Sequence, residues 1–321
     1  MIIVALVATL AGSMVWQQWR AVQVEAAERA RTQSAWILSG ALDWARLILR
    51  EDARSSGPNG TDDLGEPWAV PLAEARLSTF LAADKDNTED APDAFLSGAI
   101  TDVQARYNLR NLVNADRSID PDELLILSRL CETVGVSVDV ATRIAIGLQA
   151  ATPVLPVSPP ASPASGVPPP PADPFLYPAT TRQLTWLGID PETVRVLEPY
   201  VVILPENLPN TTKPLVNANT APRELLVAAT GLNPADAEQL VQKRQQKAFR
   251  SAADLQAVAP AMSASGATAH IGYRSSFFEV RGRLRLGDVV LEQRSLVQRL
   301  GNGEVKVLRR ERVPSRELGG S

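Results

Sequence analysis

The amino terminus is the feature that most restricts what this chain can fold into. Residues 1–16 read MIIVALVATLAGSMVW and carry no charged side chain. A helix of that length rises about 24 Å, somewhat less than the roughly 30 Å hydrocarbon core of a bilayer. Trp16, Trp19 and Arg20 follow, a combination typical of the membrane–water interface. The pattern predicts a transmembrane anchor over residues 1–19.

The helical pattern of the anchor begins without a capping residue, and the apolar run is short for a complete span. We therefore expect the anchor to be truncated, with the true start of the coding sequence upstream of Met1. A tilted anchor, as the sequence is written, is the alternative. A secretory signal peptide is disfavoured, because no basic segment precedes the run and no small-x-small cleavage site follows it.

The helical signal continues beyond the anchor through residues 20–52, and Gly57 and Gly60 follow it as breakers. Early charges predict a solvated stretch at Glu25, Glu28, Arg29 and Arg31. Later apolar residues recur at helical spacing and predict one stripe packed on a soluble domain: Trp36, Ile37, Ala41, Trp44 and Ile48. The sequence predicts a single long helix, half in the membrane and half packed on that domain.

Composition limits the possible functions. The 321 residues suffice for about two domains, and the formal net charge of −4 disfavours a whole-chain grip on a polyanion. The single cysteine, Cys131, excludes an internal disulfide, and no Cys/His cluster suggests zinc. The single histidine, His270, lies in a Gly/Ala/Ser-rich stretch with no sequence neighbour that suggests a catalytic pair. We therefore expect no enzyme.

Residues 53–112 predict a mixed segment with a strand near Ala99–Val103. The stretch 84–93, DKDNTEDAPD, is rich in hard oxygen donors that calcium prefers, but it lacks the glycine and the final glutamate of an EF-hand loop. A solvated loop is the favoured interpretation. Residues 152–174 are rich in proline and alanine, which predicts an exposed linker without regular structure.

Helical signals fill residues 113–272 on both sides of this linker. Asp120 and Asp190 each precede a proline and an acidic residue, which predicts two capped helix starts. Within Asn217–Arg244, Thr220 and Asn233 are predicted to cap two short helices joined at Gly231. This arrangement predicts a helix-hairpin-helix-like pair.

Such pairs often bind nucleic acid through glycines in the turn. Here Asn233 occupies the position of the second glycine, which hinders close approach to a phosphate. Basic residues follow the turn at Lys243, Arg244, Lys247 and Arg250, but no aromatic platform accompanies them. We therefore expect a packing module and no nucleic acid, with DNA binding by a membrane-anchored receptor as the alternative.

Residues 273–313 alternate between apolar and charged side chains, and Gly301-Asn302-Gly303 predicts a hairpin turn between two of the strands. The arginines of the stretch SSFFEVRGRLRLG are predicted to line a solvated face. Residues 314–321 form a polar tail. The predicted class is α+β: a long helix on a small antiparallel sheet, with a large inserted helical domain at 113–272.

Four motifs in order carry a resemblance. They are SGAITDVQARYNLRNL at 97–112, the helical block after it, VNANTAPRELL at 216–226 and SSFFEV at 275–280. Together with the apolar amino terminus they resemble the type IV pilin-like minor pseudopilin K family of type II secretion systems. The resemblance covers nearly the whole chain.

The resemblance implies a subunit at the tip of a short pseudopilus that helps initiate its assembly for export of folded proteins across the outer membrane. It implies minor pseudopilins of the I and J types and the inner-membrane platform as partners. It also implies a single-pass inner-membrane protein with a periplasmic carboxy-terminal domain, made as a prepilin whose leader is removed and whose new terminus is methylated. Calcium occurs in the family, but the linker at 152–174 lies where an acidic segment is usual, so no metal ligand and no cofactor is assigned.

Two groups of residues follow from these expectations. Residues expected on the subunit-packing side of the long helix are Leu6, Leu10, Val15, Trp19, Trp36 and Trp44. Residues of the family motifs to which we assign a structural role are Asp102, Gln104, Asn108, Leu109, Asn217, Asn219 and Thr220.

Overall fold

A computed structural model describes residues 2–55, 57, 60–77, 94–152, 176–205, 213–263, 266–286 and 289–313. The acidic stretch 84–93, residues 153–174 of the proline-rich segment and the tail 314–321 lie outside the described residues.

One helix, α1, runs from Ile2 to Ser55 without interruption. Its 54 residues correspond to a length of about 80 Å. The first half makes no packing contacts that bury it, since every described side chain from Ile2 to Arg29 is exposed. By length and composition the helix is apolar enough to cross a membrane.

The second half of α1 packs on an antiparallel sheet. The strands are β1 (Leu72–Arg76), β2 (Ala94–Asp102), β7 (Phe277–Leu286), β8 (Val289–Arg299) and β9 (Val305–Val313), in the order β1-β2-β7-β8-β9. Even-numbered residues of β2 and β7 face α1, as the register Ile100↔Val280 and the buried Phe278 and Leu284 require. At the pair Gly98↔Gly282 a Cβ on Gly98 would lie 2.7 Å from the carbonyl oxygen of Arg281, so this strand position accepts no side chain.

The core between helix and sheet is centred on Leu42, Ala45 and Leu49 of α1. Trp68 and Phe278 meet edge to face against them, with ring centroids 5.2 Å apart. Closer to the membrane end, Leu38 packs with the ends of β2 and β7.

The buried face of α1 corrects one expectation. The predicted stripe placed Trp36 and Trp44 on the side of the soluble domain, but both are exposed, while Ile37, Ala41 and Ile48 are only partly buried. The buried positions are Ser34, Leu38, Leu42, Ala45, Leu49 and Asp52, spaced at three and four residues. Two overlapping apolar stripes share this helix, and the larger aromatic side chains made the outer stripe look like the core.

The helical region enters after β2 and returns just before β7, two strands that pair directly with each other. Its helices are α2 (Pro121–Thr133), α3 (Asp139–Ala151), α4 (Pro191–Leu197), α5 (Arg223–Thr230), α6 (Pro234–Arg244) and α7 (Ala252–Val258). Two short parallel pairs tie its segments together: β3 (Tyr107–Asn108) with β4 (Val201–Val202), and β5 (Val216–Asn217) with β6 (Ile271–Gly272). One continuous core of buried aliphatic residues holds α2, α3 and α5.

Several helix starts follow from the capping pattern. Asp120 accepts hydrogen bonds from the backbone N–H groups of Asp122 and Glu123, and Asp190 accepts one from Thr193. The spacing predicted that Thr220 caps α5, and this prediction is wrong. That helix starts at Arg223 after Pro222, and the Thr220 side chain bonds elsewhere. The observed architecture confirms the predicted α+β class.

Candidate functional site

The first candidate site is the exposed half of α1. Leu6, Leu10, Val15 and Trp19 are each 57–66% exposed, and Trp36 and Trp44 further along are 75% and 50% exposed. All six residues expected on the subunit-packing side therefore lie on accessible surface. An apolar surface of this length is stable only in lipid or against other apolar helices.

The second candidate site is a buried polar junction where the helical region meets the sheet. We use the name polar junction for Asp62, Asp102, Asn217, Thr220, Ser275 and Arg299. Asp102, the last residue of β2, lies at its centre. Its Oδ2 accepts hydrogen bonds from Thr220 Oγ1 at 2.5 Å, Ser275 Oγ at 2.6 Å and Asn217 Nδ2 at 2.9 Å.

The other oxygen of Asp102 accepts the backbone N–H of Gln104 at 2.8 Å. The carboxylate thus ends the strand and starts the turn into the helical region. Burial raises the pKa of Asp102, although the hydrogen bonds from Ser275, Thr220 and Gln104 act in the opposite direction.

Arg299 extends the junction to the end of α1. Its guanidinium pairs with Asp52 at 2.7 Å and with Asp62 at 2.5 Å, and donates to the backbone carbonyl of Ser275 at 2.8 Å. Its side chain is only 5% exposed, so both ion pairs are shielded from water. One arginine on β8 therefore joins α1, the segment after it and the returning chain.

The remaining motif residues bond to backbone groups. Gln104 Nε2 donates to the carbonyl of Leu215, and its Oε1 accepts from Ser276 N at 2.6 Å. Asn219 makes a reciprocal pair with the backbone of Phe249, at 3.0 and 2.8 Å. These side chains satisfy backbone hydrogen-bonding groups of distant segments that are not paired there as regular strands.

Asn108 and Leu109 lie deeper in the helical region. Asn108 Oδ1 accepts the backbone N–H of Leu204, and Leu109 is fully buried in the helical core. The structure thus brings Asp102, Asn217 and Thr220 into one cluster and places Gln104 beside it. Asn108, Leu109 and Asn219 stabilise neighbouring segments instead.

Sequence reasoning missed Asp52, Asp62, Ser275 and Arg299. A signal existed for Arg299, because strand alternation puts it on the same face as Val297, which is buried against α1. An arginine at an inward position needs buried carboxylates near it. Asp52 and Asp62 gave no local signal, since they lie 247 and 237 residues away in the chain.

Asp52, Asp62 and Glu66 are carboxylates close enough together to suggest a cation site, with ligand oxygens within 4.8 Å of one another. The site does not fit calcium, which takes six to eight oxygen ligands. Arg299 already binds Oδ2 of Asp52 and both carboxylate oxygens of Asp62, and Trp68 Nε1 donates to Glu66 Oε2 at 2.6 Å. Burial raises the pKa of Glu66 to about 7 and that of Asp52 above its ordinary value.

The helix pair around Gly231 is built for packing. Gly231 has φ +74°, the left-handed conformation that ends α5, and Asn233 caps α6. Arg244, one of the basic residues considered for phosphate contact, is instead folded inward. Its Nη1 donates to the carbonyls of Ala218 and Ala221, at 2.8 and 2.6 Å.

His270 has a partner that its sequence neighbours did not reveal. Its Nδ1 lies 3.4 Å from Glu123 Oε1, and the other oxygen of Glu123 accepts the Tyr107 hydroxyl at 2.9 Å. Tyr107 and Glu123 are buried in the helical core, so this group joins β3 to α2. Among the contacts of these three side chains in the described part of the chain, none is with a nucleophile.

Comparisons with known proteins agree with one another. Two models of the family described as Type II secretion system (T2SS), protein K match residues 105–206 and 216–273, together about half of the chain. The type II secretion system protein K of Pseudomonas aeruginosa (strain PAO1) is 26% identical over 325 residues, which is 97% of this chain and 90% of that protein.

A solved structure is also similar. The crystal structure of the GspK-GspI-GspJ complex from the enterotoxigenic Escherichia coli type 2 secretion system contains a chain that superposes with a TM-score of 0.64. The match covers 90% of this chain and 99% of that chain at 19% identity, so it supports the fold.

Proposed function

Since the chain belongs to the protein K family of type II secretion systems, we propose that it is the tip subunit of the pseudopilus and helps start its assembly. Its role as a minor pseudopilin fits both halves of the molecule: an apolar helix with an exposed amino-terminal half and a compact head built on its other end.

The observation that carries the proposal is the accessible apolar surface of α1 between Ile2 and Val24. In the bilayer, lipid covers this surface. A pseudopilin that leaves the bilayer must exchange lipid for other helices, because exposing apolar surface costs about 25 cal/mol per Å². Assembly and extraction are therefore coupled through this half of α1.

The head supports a terminal position. The helical region is inserted between paired strands at the end of the sheet beyond Asp102 and Ser275, while Leu38 and the ends of β2 and β7 face the anchor side. A subunit with a helical region of this size above its sheet can pack on subunits below it and prevents further subunits from packing above it.

We further propose partners and a location. The similar solved chain assembles with GspI and GspJ, so we propose the corresponding minor pseudopilins, together with the inner-membrane platform, as partners of this chain. We infer from its long apolar helix that the chain crosses the inner membrane once and that its head lies in the periplasm.

Labelling of assembled pseudopili tests the tip position. Cys131 is fully buried, and burial raises its pKa to about 11, so it does not compete for thiol reagents. The variant Leu125→Cys places a thiol on the helical region at a position that is 47% exposed in the native chain. A maleimide–gold label on this variant is expected at one end of each filament. Labels distributed along the filaments would contradict the proposal.

Secretion provides the second measurement. Deleting the gene is expected to abolish export, and the native gene expressed from its own locus restores it. Removing residues 115–270 leaves the anchor but is expected to abolish initiation or to allow incorporation within the filament. Unchanged export by this deletion variant would argue against a tip role for the helical region.

DNA binding is the competing function. The inward position of Arg244 removes one of the four basic residues on which it depended. A salt-dependent mobility shift of DNA by the soluble part of the chain would favour it.

A further inference from the structure

A basic pocket lies where the helical region meets the end of the sheet, beside the polar junction. It has a volume of about 720 Å³. Its walls come from segments that are far apart in the sequence, including the chain after α1, the loop between α6 and α7, and the end of β8. We use the name basic pocket for this cavity, whose charged and polar lining includes Thr61, Lys213, Arg250, Tyr273, Arg274 and Gln298.

The charge of the lining has one sign. Lys213, Arg250 and Arg274 contribute to it, and none of the described lining residues is an aspartate or a glutamate, although the whole chain has a net charge of −4. Lys213 pairs with Asp120 at 2.6 Å. The exposed Arg250 forms no ion pair in the described part of the chain, so its positive charge is available to a ligand.

An amide without a partner lies inside the pocket. Gln298 is only 8% exposed, yet its side chain makes no hydrogen bond to any described residue. The neighbouring Gln104 shows the contrast, because its amide is satisfied by the carbonyl of Leu215 and the backbone N–H of Ser276. A buried polar group left unpaired costs about 1–3 kcal/mol, so a ligand that bonds to Gln298 removes an existing penalty.

Two hydroxyl groups complete the polar lining, those of Thr61 and Tyr273. Burial raises the pKa of Tyr273, and the charge of Asp254 raises it further, so the phenol stays protonated and can donate a hydrogen bond. The pocket therefore combines a guanidinium, an amide and two hydroxyls. Donors of this kind suit a carboxylate, which only accepts hydrogen bonds when ionised.

The size of the pocket favours a polypeptide as the source of the carboxylate. A single carboxylate fills only a small part of the volume, and Pro214, Leu215 and Phe277 add apolar surface to the lining. Such a mixed surface fits the backbone and methylene groups of an acidic peptide. Duplex DNA fits less well, because it needs a basic stripe on the outer surface and would leave the recessed Gln298 unpaired.

We propose that the basic pocket binds an acidic polypeptide segment, with one carboxylate bonded to the recessed Gln298 amide and another paired with Arg250. The inference goes beyond the proposed function, since it assigns a peptide-binding site to the head that requires no contact with α1.

Three variants test the proposal. Arg250→Gln removes the available charge at an exposed position, and Lys247→Gln is its matched control, because Lys247 is equally exposed and lies outside the pocket. Gln298→Leu removes the amide without changing the net charge. Its fold is expected to survive, since replacing a buried polar group that has no partner by an apolar side chain of similar size loses no hydrogen bond.

The measurement is the fluorescence anisotropy of a labelled glutamate tetrapeptide titrated with the full chain in a non-ionic detergent. Binding is expected to weaken about ten-fold in Arg250→Gln and in Gln298→Leu, and to stay within about two-fold of the native value in Lys247→Gln. A glutamine tetrapeptide is expected not to bind. Circular dichroism confirms that each variant is folded.

Other outcomes overturn the proposal. If the native chain does not bind the glutamate peptide, or if all three variants bind it equally, the pocket is not an acidic-peptide site. If citrate binds as tightly as the peptide, the ligand is a small carboxylate instead. If a short DNA duplex displaces the peptide, and Arg250→Gln weakens binding of the duplex, the pocket binds phosphate groups. None of these measurements requires pseudopilus assembly, so their failure leaves the proposed function untouched.

Discussion

At the residue scale, Asp102 shows how a buried carboxylate is held by neutral donors. Three side chains and one backbone N–H donate to it. Asn217 and Thr220 come from one distant segment and Ser275 from another, so one acid fixes the entrance and the exit of the helical region.

We predict that Asp102→Asn lowers the free energy of unfolding by about 2–4 kcal/mol, because the amide must turn its NH₂ toward donors in either orientation and leave buried groups unpaired. Urea denaturation monitored by circular dichroism measures the loss. Asp190→Asn is the control at an exposed helix cap, where asparagine serves about as well as aspartate and the change is within about 0.5 kcal/mol. Equal effects at the two positions would contradict the importance of the junction.

Glu66 makes stability depend on pH. Its pKa rises from 4.5 to about 7, chiefly because burial disfavours the charged form. The folded state therefore retains a proton that the unfolded state loses, and the free energy of unfolding falls as pH rises from about 4.5 to about 7.

Glu66→Gln removes this titration and keeps an oxygen for the Trp68 indole. Relative to the native chain, the variant is expected to gain about 1 kcal/mol between pH 5 and pH 8, a value reduced for the partial exposure of the side chain. Denaturation midpoints across that range measure it, with Glu51→Gln on the exposed face of α1 as control. A difference between variant and native chain that stays constant with pH would refute the assignment.

At the element scale, the sequence-based predictions were more accurate for the strands than for the long helix. Alternation predicted the carboxy-terminal strands well, because one face of the sheet is solvated and the other is packed on α1. Periodicity predicted that α1 is long, but it chose the wrong face, since Trp36 and Trp44 are large and apolar and yet exposed. Only the position of the sheet decides which of two apolar stripes is the core.

Neighbouring leucines on α1 separate the two faces. Leu49 is fully buried against the sheet, whereas Leu47 is 49% exposed. Leu49→Ala is expected to cost about 2–4 kcal/mol of unfolding free energy, and Leu47→Ala less than about 0.5 kcal/mol. Chemical denaturation of both variants tests this, and similar losses at 47 and 49 would show that the faces are assigned wrongly.

At the scale of the whole molecule, the head does not use the first half of α1. Every described side chain from Ile2 to Arg29 is exposed, while burial begins around Ala30 and Ser34. The sequence predicted this division into anchor and head, but it did not predict the polar junction, in which Asp102 bonds Asn217 and Thr220, and Asp62 bonds Arg299, each across more than 100 residues.

We predict that a chain starting at Ala30 keeps the fold of the head, with a thermal midpoint within about 3 °C of the full chain in detergent. Differential scanning calorimetry on both proteins measures it. A chain starting at Leu42 serves as the control, because it loses the contact of Leu38 with β2 and β7 and should melt lower. Collapse of the Ala30 chain would mean that the anchor half stabilises the head.

The entrance and exit of the helical region lie close enough for direct hydrogen bonds, from the Ser275 hydroxyl to Asp102 and from the Ser276 backbone to the side chain of Gln104. Any foreign domain whose own ends lie close together meets the same geometric requirement. The ends of β2 and β7 are thus an insertion point. A fluorescent or enzymatic domain that replaces residues 103–274 there would be carried by α1 and the antiparallel sheet. The pairing of β2 with β7 would close beneath it as it does beneath the native helices.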